Sequence, residues 1–220
     1  MIDYWRDDSK KVGMAPGNCE DVLSLLKNKI DPQTAFVIDL GCNRGWFSGF
    51  FPNYLGLDYN ESAISDAKHF WAEKLSLTAA QIEKRFLFWD ATAKISLEQK
   101  ADLVICKDLL EHIPDGHSFL EWVKSILKTD GLFLLVTPDS QKWAWDDPTH
   151  IRPYSRIAHR ALAKAQGFGI ITESYESVMP GTQKIAGIFG GKSPLLIRMA
   201  VHIPFWRRNV VSLLKTNNNI

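Results

Sequence analysis

Three aspartates and two glycines have the types and spacing of a small-molecule binding site. Asp39, Asp58 and Asp90 each stand at the carboxyl end of a short apolar run that predicts a β-strand. Because the carboxyl ends of parallel strands meet at one edge of a sheet, we expect the three carboxylates to converge on the crevice where such folds bind ligands. Gly41 and Gly45 leave the backbone of the turn after the first strand open to a ligand. The pattern predicts a small molecule held at this edge.

Short apolar runs alternate with helical segments, a pattern typical of a parallel sheet covered on both faces. The predicted strands cover 35–40, 54–58, 85–89, 102–106, 132–136, 168–178 and 209–215. The predicted helices cover 19–29, 46–51, 61–75, 107–113, 117–128 and 156–166, with a small extra helix after Thr78 and caps at Asn18, Asn60, Asp115 and Ser155. The predicted fold class is α/β: a doubly wound, mostly parallel seven-stranded sheet with helices on both faces and a C-terminal antiparallel strand pair.

Length and composition indicate one globular domain. The chain has 220 residues, of which 45% are hydrophobic and 23% charged. We therefore assign 1–220 to a single domain, with a cofactor-binding core at 33–155 and a substrate-side loop, helix and connector at 139–208. The net charge of +1 provides no global field that would gather nucleic acid.

The start of the chain, its apolar runs and its cysteine spacing favour a cytoplasmic protein with reduced thiols. The charged start of the chain lacks the pattern of a signal peptide, and no apolar run approaches the ~20 residues of a membrane-spanning helix. Cys19, Cys42 and Cys106 are odd in number and far apart. This spacing argues against a disulfide framework and against a thiolate zinc site.

The segment from Asp39 to Gly45 resembles the first motif of the class I S-adenosylmethionine-dependent methyltransferases, acid-x-Gly-x-Gly-x-Gly, with Asn43 in the place of the middle glycine. The resemblance covers roughly 33–155 and indicates the branch that methylates oxygen on sugars, lipids and quinones. Asparagine tolerates left-handed backbone geometry, so we expect the turn to survive this departure. A dinucleotide-binding turn fits poorly, because that fingerprint is G-x-G-x-x-G and this turn is G-x-x-x-G.

The resemblance assigns contacts with S-adenosylmethionine to individual residues. It implies that the turn wraps the amino-acid end of the cofactor, that the acid ending the second strand binds the ribose hydroxyls, and that the acid after the third strand faces the adenine amine. The implied cofactor-binding residues are Asp39, Gly41, Asn43, Gly45, Asp58, Trp89, Asp90 and Lys107. Trp89 would contact the adenine ring, and the role of Lys107 is open.

The segment after the fourth strand, Leu110-Glu111-His112, resembles the L-E-H segment of the small-molecule branch, whose acids lie beside the transferable methyl group. Methyl transfer requires alignment of the acceptor and, for a hydroxyl, removal of a proton. The candidate bases are His150, Asp108 and His112. His150 is preferred because its surroundings resemble a substrate-facing loop of this branch. The nearby Trp143, Trp145 and Tyr154 could stack on an acceptor ring or form a lid.

A metal site is an alternative use of these groups. Asp108, Glu111 and His112 are expected on one helical turn and, with His150, offer two carboxylates and two imidazoles. A similar set binds a divalent metal in quinone O-methyltransferases and in small-RNA terminal ribose methyltransferases. A metal would lower the pKa of an acceptor hydroxyl. From the sequence, structural hydrogen bonds of Glu111 and His112 are preferred to metal binding.

The C-terminal segment 194–208 mixes aliphatic, aromatic and basic residues. It predicts a connector packed over the substrate pocket or, alternatively, a peripheral contact with a membrane. We therefore expect O-methylation of a saccharide, a lipid-linked intermediate or a quinone-like molecule, with nucleic acid not expected as a partner. The alternatives are metal-assisted ribose methylation of RNA and a non-catalytic S-adenosylmethionine-binding module, which would show a damaged turn.

Overall fold

The computed structural model describes residues 22–177 and 207–216, which form a seven-stranded sheet flanked by helices. The strands are β1 (Phe36–Leu40), β2 (Asn53–Asp58), β3 (Phe86–Phe88), β4 (Ala101–Lys107), β5 (Leu127–Pro138), β6 (Phe168–Ser177) and β7 (Arg207–Thr216). The α-helices are α1 (Glu61–Lys74), α2 (Ala79–Arg85), α3 (Gly116–Ile126), α4 (Lys142–Trp145) and α5 (Arg156–Ala165). Short 3-10 helices cover Ser24–Leu26, Trp46–Phe50 and Leu110–His112.

The strand order is β3-β2-β1-β4-β5-β7-β6. Strands β1 to β5 pair in parallel, and β7 runs antiparallel to both β5 and β6. The predicted fold class is confirmed. Because the chain proceeds outward in opposite directions from β1 and β4, the loops that follow these two strands diverge and open a crevice at the carboxyl edge.

Each face of the sheet has its own apolar layer. Val37 and Ile105 belong to one layer, and Ile38 and Val104 to the other; all four are completely buried. Since successive side chains of a strand point to opposite faces, strands covered on both sides need apolar residues at every position. This requirement explains the continuous apolar runs in the sequence.

Side-chain caps start the helices where the sequence predicts them. Asn60 accepts a hydrogen bond from the N–H of Ala63 at 3.1 Å, and Thr78 forms a capping box with Gln81. The predicted cap Asn18 lies outside the described residues. The helix predicted over 19–29 ends too late, because within the described residues it closes in the 3-10 turn at Ser24–Leu26.

Two boundaries around β4 and β5 differ from the prediction. Helix α3 ends at Ile126 rather than Lys128, because Leu127 already pairs with Ala101 at the start of β5. The segment 107–113 forms only the short 3-10 helix Leu110–His112. The left-handed backbone of Asp108, with φ of 53°, prevents a longer helix from starting at the end of β4.

A buried histidine joins α5 to the antiparallel strands. His159 is 0% exposed; its Nε2 lies 2.8 Å from Thr137 Oγ1 on β5, and its Nδ1 lies 2.9 Å from Ser212 Oγ on β7. Burial lowers the pKa of His159 to about 4, a shift that the charge of Glu173 only partly opposes. The fold therefore holds this imidazole neutral.

The stability of the protein should reflect this buried histidine. As pH falls from about 6.5 to about 4, the unfolded chain binds a proton that folded His159 rejects, so the free energy of unfolding decreases. His159→Gln removes this dependence. The stability advantage of the wild type over His159→Gln should shrink across this interval, by on the order of 3 kcal/mol when complete. Urea denaturation at stepped pH measures the difference, and parallel curves for the two proteins would refute it.

Candidate active site

The turn after β1 adopts left-handed backbone geometry at three alternate residues. Gly41, Asn43 and Gly45 have φ values of 72°, 47° and 66°. A Cβ atom on Gly45 would lie 2.2 Å from the ring of Phe86, so this position requires glycine for space as well as for conformation. Asn43 occupies the middle left-handed position, as the sequence predicts.

Asp58 connects this turn to the end of β2. One carboxylate oxygen accepts the N–H of Asn43 at 2.7 Å, and the other accepts the N–H of Asn60 at 2.8 Å. Burial raises the pKa of Asp58, and the backbone hydrogen bonds oppose this shift. Asp58 thus lies at the carboxyl edge, where it was expected, and it also orders the turn.

Asp39 lies inside the core rather than on the crevice. Its side chain is 2% exposed and accepts a hydrogen bond from the Tyr54 hydroxyl at 2.5 Å. Burial raises the pKa of Asp39 to about 7, although the Tyr54 hydrogen bond opposes the shift. The expected convergence of three carboxylates on the crevice is wrong for Asp39, because strand alternation directs its side chain into the layer that contains Val37.

The end of β3 lies beside the end of β2, because the N–H of Trp89 donates to the carbonyl of Asp58 at 2.8 Å. Asp90 is exposed there, and its Oδ1 accepts hydrogen bonds from the N–H and the hydroxyl of Thr92, which lower its pKa. Trp89 is 4% exposed and stacks on Trp122 with a centroid distance of 5.1 Å. Core packing thus covers most of the indole, and its contact with the adenine ring stays a prediction.

A carboxylate–histidine cluster, Glu111, His112 and His150, brings its potential ligand atoms within 4.8 Å of one another. His112 Nδ1 lies 2.9 Å from the carbonyl oxygen of Thr149, and His150 Nδ1 lies 2.7 Å from that of Ala144. A carbonyl oxygen can only accept, so each Nδ1 carries the hydrogen and each Nε2 is the basic nitrogen. The cluster can therefore take up a proton or ligate a cation.

One backbone carbonyl holds together the two segments that carry the cluster. The carbonyl oxygen of Glu111 accepts the N–H of Ile151 at 2.8 Å and that of Arg152 at 3.1 Å. The loop after α4 is thereby fixed to the 3-10 helix after β4. This contact brings His150 to His112, with ring centroids 4.9 Å apart.

Glu111 is an acid buried without a polar partner. It is 1% exposed, and neither carboxylate oxygen has a hydrogen-bond partner in another described residue. Burial raises the pKa of Glu111 well above its usual range, and the charge of Asp108 adds to this. Burial also lowers the pKa of His112. The preferred expectation of structural hydrogen bonds is wrong for the Glu111 carboxylate, although His112 makes one.

Asp108 lies apart from the cluster. Its Oδ1 accepts a hydrogen bond from Asn209 Nδ2 at 2.9 Å, and its Oδ2 lies 3.2 Å from Lys107 Nζ. Its left-handed backbone removes it from the helical turn it was expected to share with Glu111 and His112. The assignment of Asp108 to a metal site is therefore wrong, and its catalytic role stays a prediction.

Lys107 connects β4 to β6. Its side chain is 5% exposed, and Nζ lies 2.8 Å from Glu176 Oε2. Burial acts to lower the pKa of Lys107, but the carboxylates of Asp108 and Glu176 outweigh it and raise the pKa overall. Both neighbouring carboxylates engage the ammonium group of Lys107, and its contact with the cofactor stays a prediction.

Sequence reasoning misses Glu176 and Asn209, which complete the polar network around Lys107. Asn209 Nδ2 donates to Glu176 Oε2 at 2.8 Å as well as to Asp108. Neither residue belongs to a motif, and both lie on the antiparallel strands. Only the pairing of β6 with β7, and of β7 with β5, brings them to the end of β4.

The aromatic residues of the 139–155 loop have different surroundings. The guanidinium of Arg208 lies 5.0 Å over the ring of Trp143, and Tyr154 is 4% exposed. Trp145 is 56% exposed, and stacking of this ring on an acceptor stays a prediction. Residues 194–206 of the predicted connector lie outside the described residues. Within the described part of the chain, no helix has the length and apolarity needed to cross a bilayer.

A family model described as a methyltransferase domain matches residues 13–173. The chain is 32% identical over 107 residues to a ubiquinone biosynthesis O-methyltransferase of Glaesserella parasuis, covering 46% of this chain and 44% of that protein. It is 29% identical over 176 residues to an mRNA cap guanine-N(7) methyltransferase of Oryza sativa, covering 73% of this chain and 50% of that protein. The chain thus spans about half the length of the curated relatives it matches.

Solved structures share the fold at low sequence identity. A SAM-dependent methyltransferase from Archaeoglobus fulgidus has a TM-score of 0.66 at 17% identity, covering 97% of this chain and 100% of that one. Magnesium protoporphyrin IX methyltransferase from Synechocystis with bound SAH has a TM-score of 0.63 at 16% identity, covering 92% of this chain and 83% of that one. At these identities the similarity establishes the architecture.

Substitutions at Gly45 and Asn43 should differ in their effect on the stability of the protein. Gly45→Ala should lower the free energy of unfolding by roughly 2–4 kcal/mol, because the new Cβ collides with Phe86 and the backbone is left-handed. Asn43→Gly should change it by about 1 kcal/mol or less, since glycine accepts the same geometry. Urea denaturation of both variants measures the contrast. Equal effects would show that the turn is not constrained as described.

Proposed function

The chain belongs to the methyltransferase-domain family, and on that premise we propose that it transfers a methyl group from S-adenosylmethionine to an oxygen of a small quinone-like, saccharide or lipid-linked molecule. The donor supplies a methyl group already activated by a positively charged sulfur, so the protein has to align the acceptor and take its proton. The observation that carries the proposal is the family match over 13–173, which includes both the left-handed turn and the carboxylate–histidine cluster.

The turn and the two exposed strand ends are suited to hold the donor. Gly41 and Gly45 carry no side chains that would cover the backbone of the turn, so a ligand can approach that backbone closely. Asp58 carries a carboxylate at the adjoining strand end that can accept from ribose hydroxyls while it holds Asn43 and Asn60. Asp90 is exposed on the next strand, where it can accept from the adenine amine.

His150 is the proposed base. Its Nδ1–H is held by the carbonyl of Ala144, which fixes the ring and leaves Nε2 as the basic nitrogen. As the acceptor oxygen forms its bond to the methyl carbon, its proton passes to His150 Nε2. Asp147 Oδ2 lies 3.8 Å from that nitrogen and stabilises the imidazolium that results.

As an alternative to proton transfer to His150, the carboxylate–histidine cluster fits a divalent cation, which would occupy the same Nε2 atom. Glu111 offers a buried carboxylate without a hydrogen-bond partner in another described residue, and His112 and His150 offer nitrogens oriented by backbone carbonyls. A cation held by these three residues would lower the pKa of an acceptor hydroxyl. The similarity to ubiquinone biosynthesis O-methyltransferases supports a small hydroxylated acceptor.

Metal-assisted ribose methylation of RNA is the second candidate, because the same cluster would serve it. The net charge of +1 argues against it, since binding to a polyanion usually relies on a basic surface. A non-catalytic binding module would be expected to have lost the turn, and here the turn keeps its left-handed geometry. Methyl transfer from radiolabelled donor to a panel of quinols, saccharides, lipid-linked sugars and RNA tests all three possibilities.

Asp58→Ala should mainly weaken donor binding, whereas His150→Ala should mainly slow turnover. Loss of the Asp58 carboxylate should weaken donor binding by about 1–3 kcal/mol, because charge-assisted hydrogen bonds are removed. Loss of His150 should slow turnover by roughly a hundredfold or more and leave donor affinity nearly unchanged. Calorimetric titration with S-adenosylmethionine and the radiolabel assay measure the two effects. Glu121→Ala, which removes a carboxylate 73% exposed on α3, is the control.

The reverse pattern, with Asp58→Ala affecting turnover alone, would refute these roles. A wild-type protein that fails to bind the donor would refute the proposed function itself. Donor binding without transfer to any acceptor class would favour the non-catalytic module.

Metal binding can be measured without turnover. We expect the wild type to bind Mn²⁺, seen as loss of the free-ion signal in electron paramagnetic resonance. Glu111→Gln and His150→Ala should each weaken binding by roughly tenfold or more, because each removes one ligand of the cluster. His69→Ala, an exposed histidine on α1, is the control. Equal losses in the control, or no binding by the wild type, would refute the metal site.

A further inference from the structure

A cavity of about 230 Å³ opens beside the start of α3 and α5. Its lining includes the apolar residues Ala158, Ala161 and Leu162 and the polar residues Arg152 and Tyr154. Apolar residues with a few polar groups are the usual lining of a small-ligand site.

The cavity lies next to the carboxylate–histidine cluster. Its lining residues Pro114 and Arg152 follow the cluster residues His112 and His150 closely in the two segments. These segments are joined because the Glu111 carbonyl accepts the N–H of Arg152 at 3.1 Å. The cavity and the cluster are therefore carried by the same two joined segments.

Tyr154 presents an unpaired hydroxyl to this cavity. The residue is 4% exposed, and its hydroxyl makes no hydrogen bond to any described residue. A Cβ atom on Gly116 would lie 2.7 Å from that hydroxyl, so glycine preserves the space at the start of α3. A tyrosine buried to this degree normally uses its O–H as a donor. The free hydroxyl therefore points to a ligand that accepts a hydrogen bond.

Arg152 supplies a positive charge to the same space. Its guanidinium lies 5.3 Å over the ring of Tyr154, and it forms no ion pair with a described carboxylate. The first backbone N–H groups of α3, at Gly116 and His117, have no acceptor within the helix and add further donors. Asp115 also lines the cavity, and its Oδ1 accepts the N–H of Ser118 at 3.0 Å.

The charged groups that line the cavity favour a carboxylate over a phosphate dianion. One guanidinium, one tyrosine hydroxyl and the helix N–H groups match the two oxygens of a carboxylate. The carboxylate of Asp115 would repel a phosphate dianion more strongly than a monoanion. The apolar lining of Ala158, Ala161 and Leu162 suits a ring or a short hydrocarbon body.

We propose that this cavity binds the carboxylate of an acceptor whose methylated hydroxyl lies on the same small apolar body. Arg152 and Tyr154 hold the carboxylate, and the body extends toward the carboxylate–histidine cluster. The inference rests on the proposed function for the identity of the ligand as an acceptor. The binding site itself can be tested without methyl transfer.

Two probes that differ only in charge test the site. 4-Hydroxybenzoate and 4-hydroxybenzamide share the ring and hydroxyl, and only the first carries a carboxylate. Ligand-observed NMR titration of the full chain at pH 7.5 should give binding at least tenfold tighter for the acid. Arg152→Ala should abolish this preference, and Arg152→Lys should keep part of it. Tyr154→Phe should weaken binding of the acid severalfold.

The control is Lys164→Ala, which removes one exposed positive charge from α5 outside the cavity lining. It should bind both probes as the wild type does. Equal affinity for acid and amide, equal losses in Arg152→Ala and Lys164→Ala, or no binding of the acid at up to about 10 mM would each overturn the proposal.

Titration of the same samples with S-adenosylmethionine separates the two proposals. Donor binding without binding of the acid would overturn the carboxylate site and leave the proposed function intact. Binding of the acid without donor binding would support the carboxylate site and overturn the proposed function.

Discussion

The left-handed geometry of three alternate residues after β1 is the constraint on which the rest of the crevice depends. Gly41, Asn43 and Gly45 turn the chain so sharply that the N–H of Asn43 meets the carboxylate of Asp58. The ends of β1 and β2 are thereby fixed to each other, and the N–H of Trp89 extends the same arrangement to β3. A side chain on Gly45 would displace Phe86 and with it the edge of the sheet. The donor half of the crevice is thus built from backbone conformation.

The proposed acceptor half depends on backbone oxygens of Glu111 and Thr149 that join two segments. The carbonyl of Glu111 binds two consecutive N–H groups of the loop after α4, and this contact places imidazoles from distant parts of the chain side by side. The Glu111 side chain is then enclosed, with its carboxylate next to the two rings. Because the same contact fixes Arg152, the proton-accepting group and the proposed carboxylate site share one support. Small shifts of this loop would alter both together.

The sequence predicts the backbone more completely than the direction of side chains. The strands, the caps and the left-handed Asn43 follow from local rules, since each depends on a few neighbouring residues. The burial of Asp39 and Trp89 does not follow, because a residue at a strand end faces the crevice or the core according to packing between distant elements. Asp108 was misplaced since its left-handed backbone has no signature in the sequence. His150 lies beside His112, as predicted. The contact that joins their segments is made by the Glu111 backbone carbonyl, and a backbone contact of this kind cannot be predicted from residue types.

The polar network of Lys107, Asp108, Glu176 and Asn209 connects the antiparallel strands β6 and β7 to the end of β4. Strands β6 and β7 complete one edge of the sheet. They also place the Glu176 carboxylate and the Asn209 amide at the end of β4. Exchange of these two strands between homologous proteins would therefore change the charges at the end of β4. An exchange that removed the Glu176 carboxylate would leave the buried ammonium group of Lys107 with Asp108 as its remaining charged partner among the described residues.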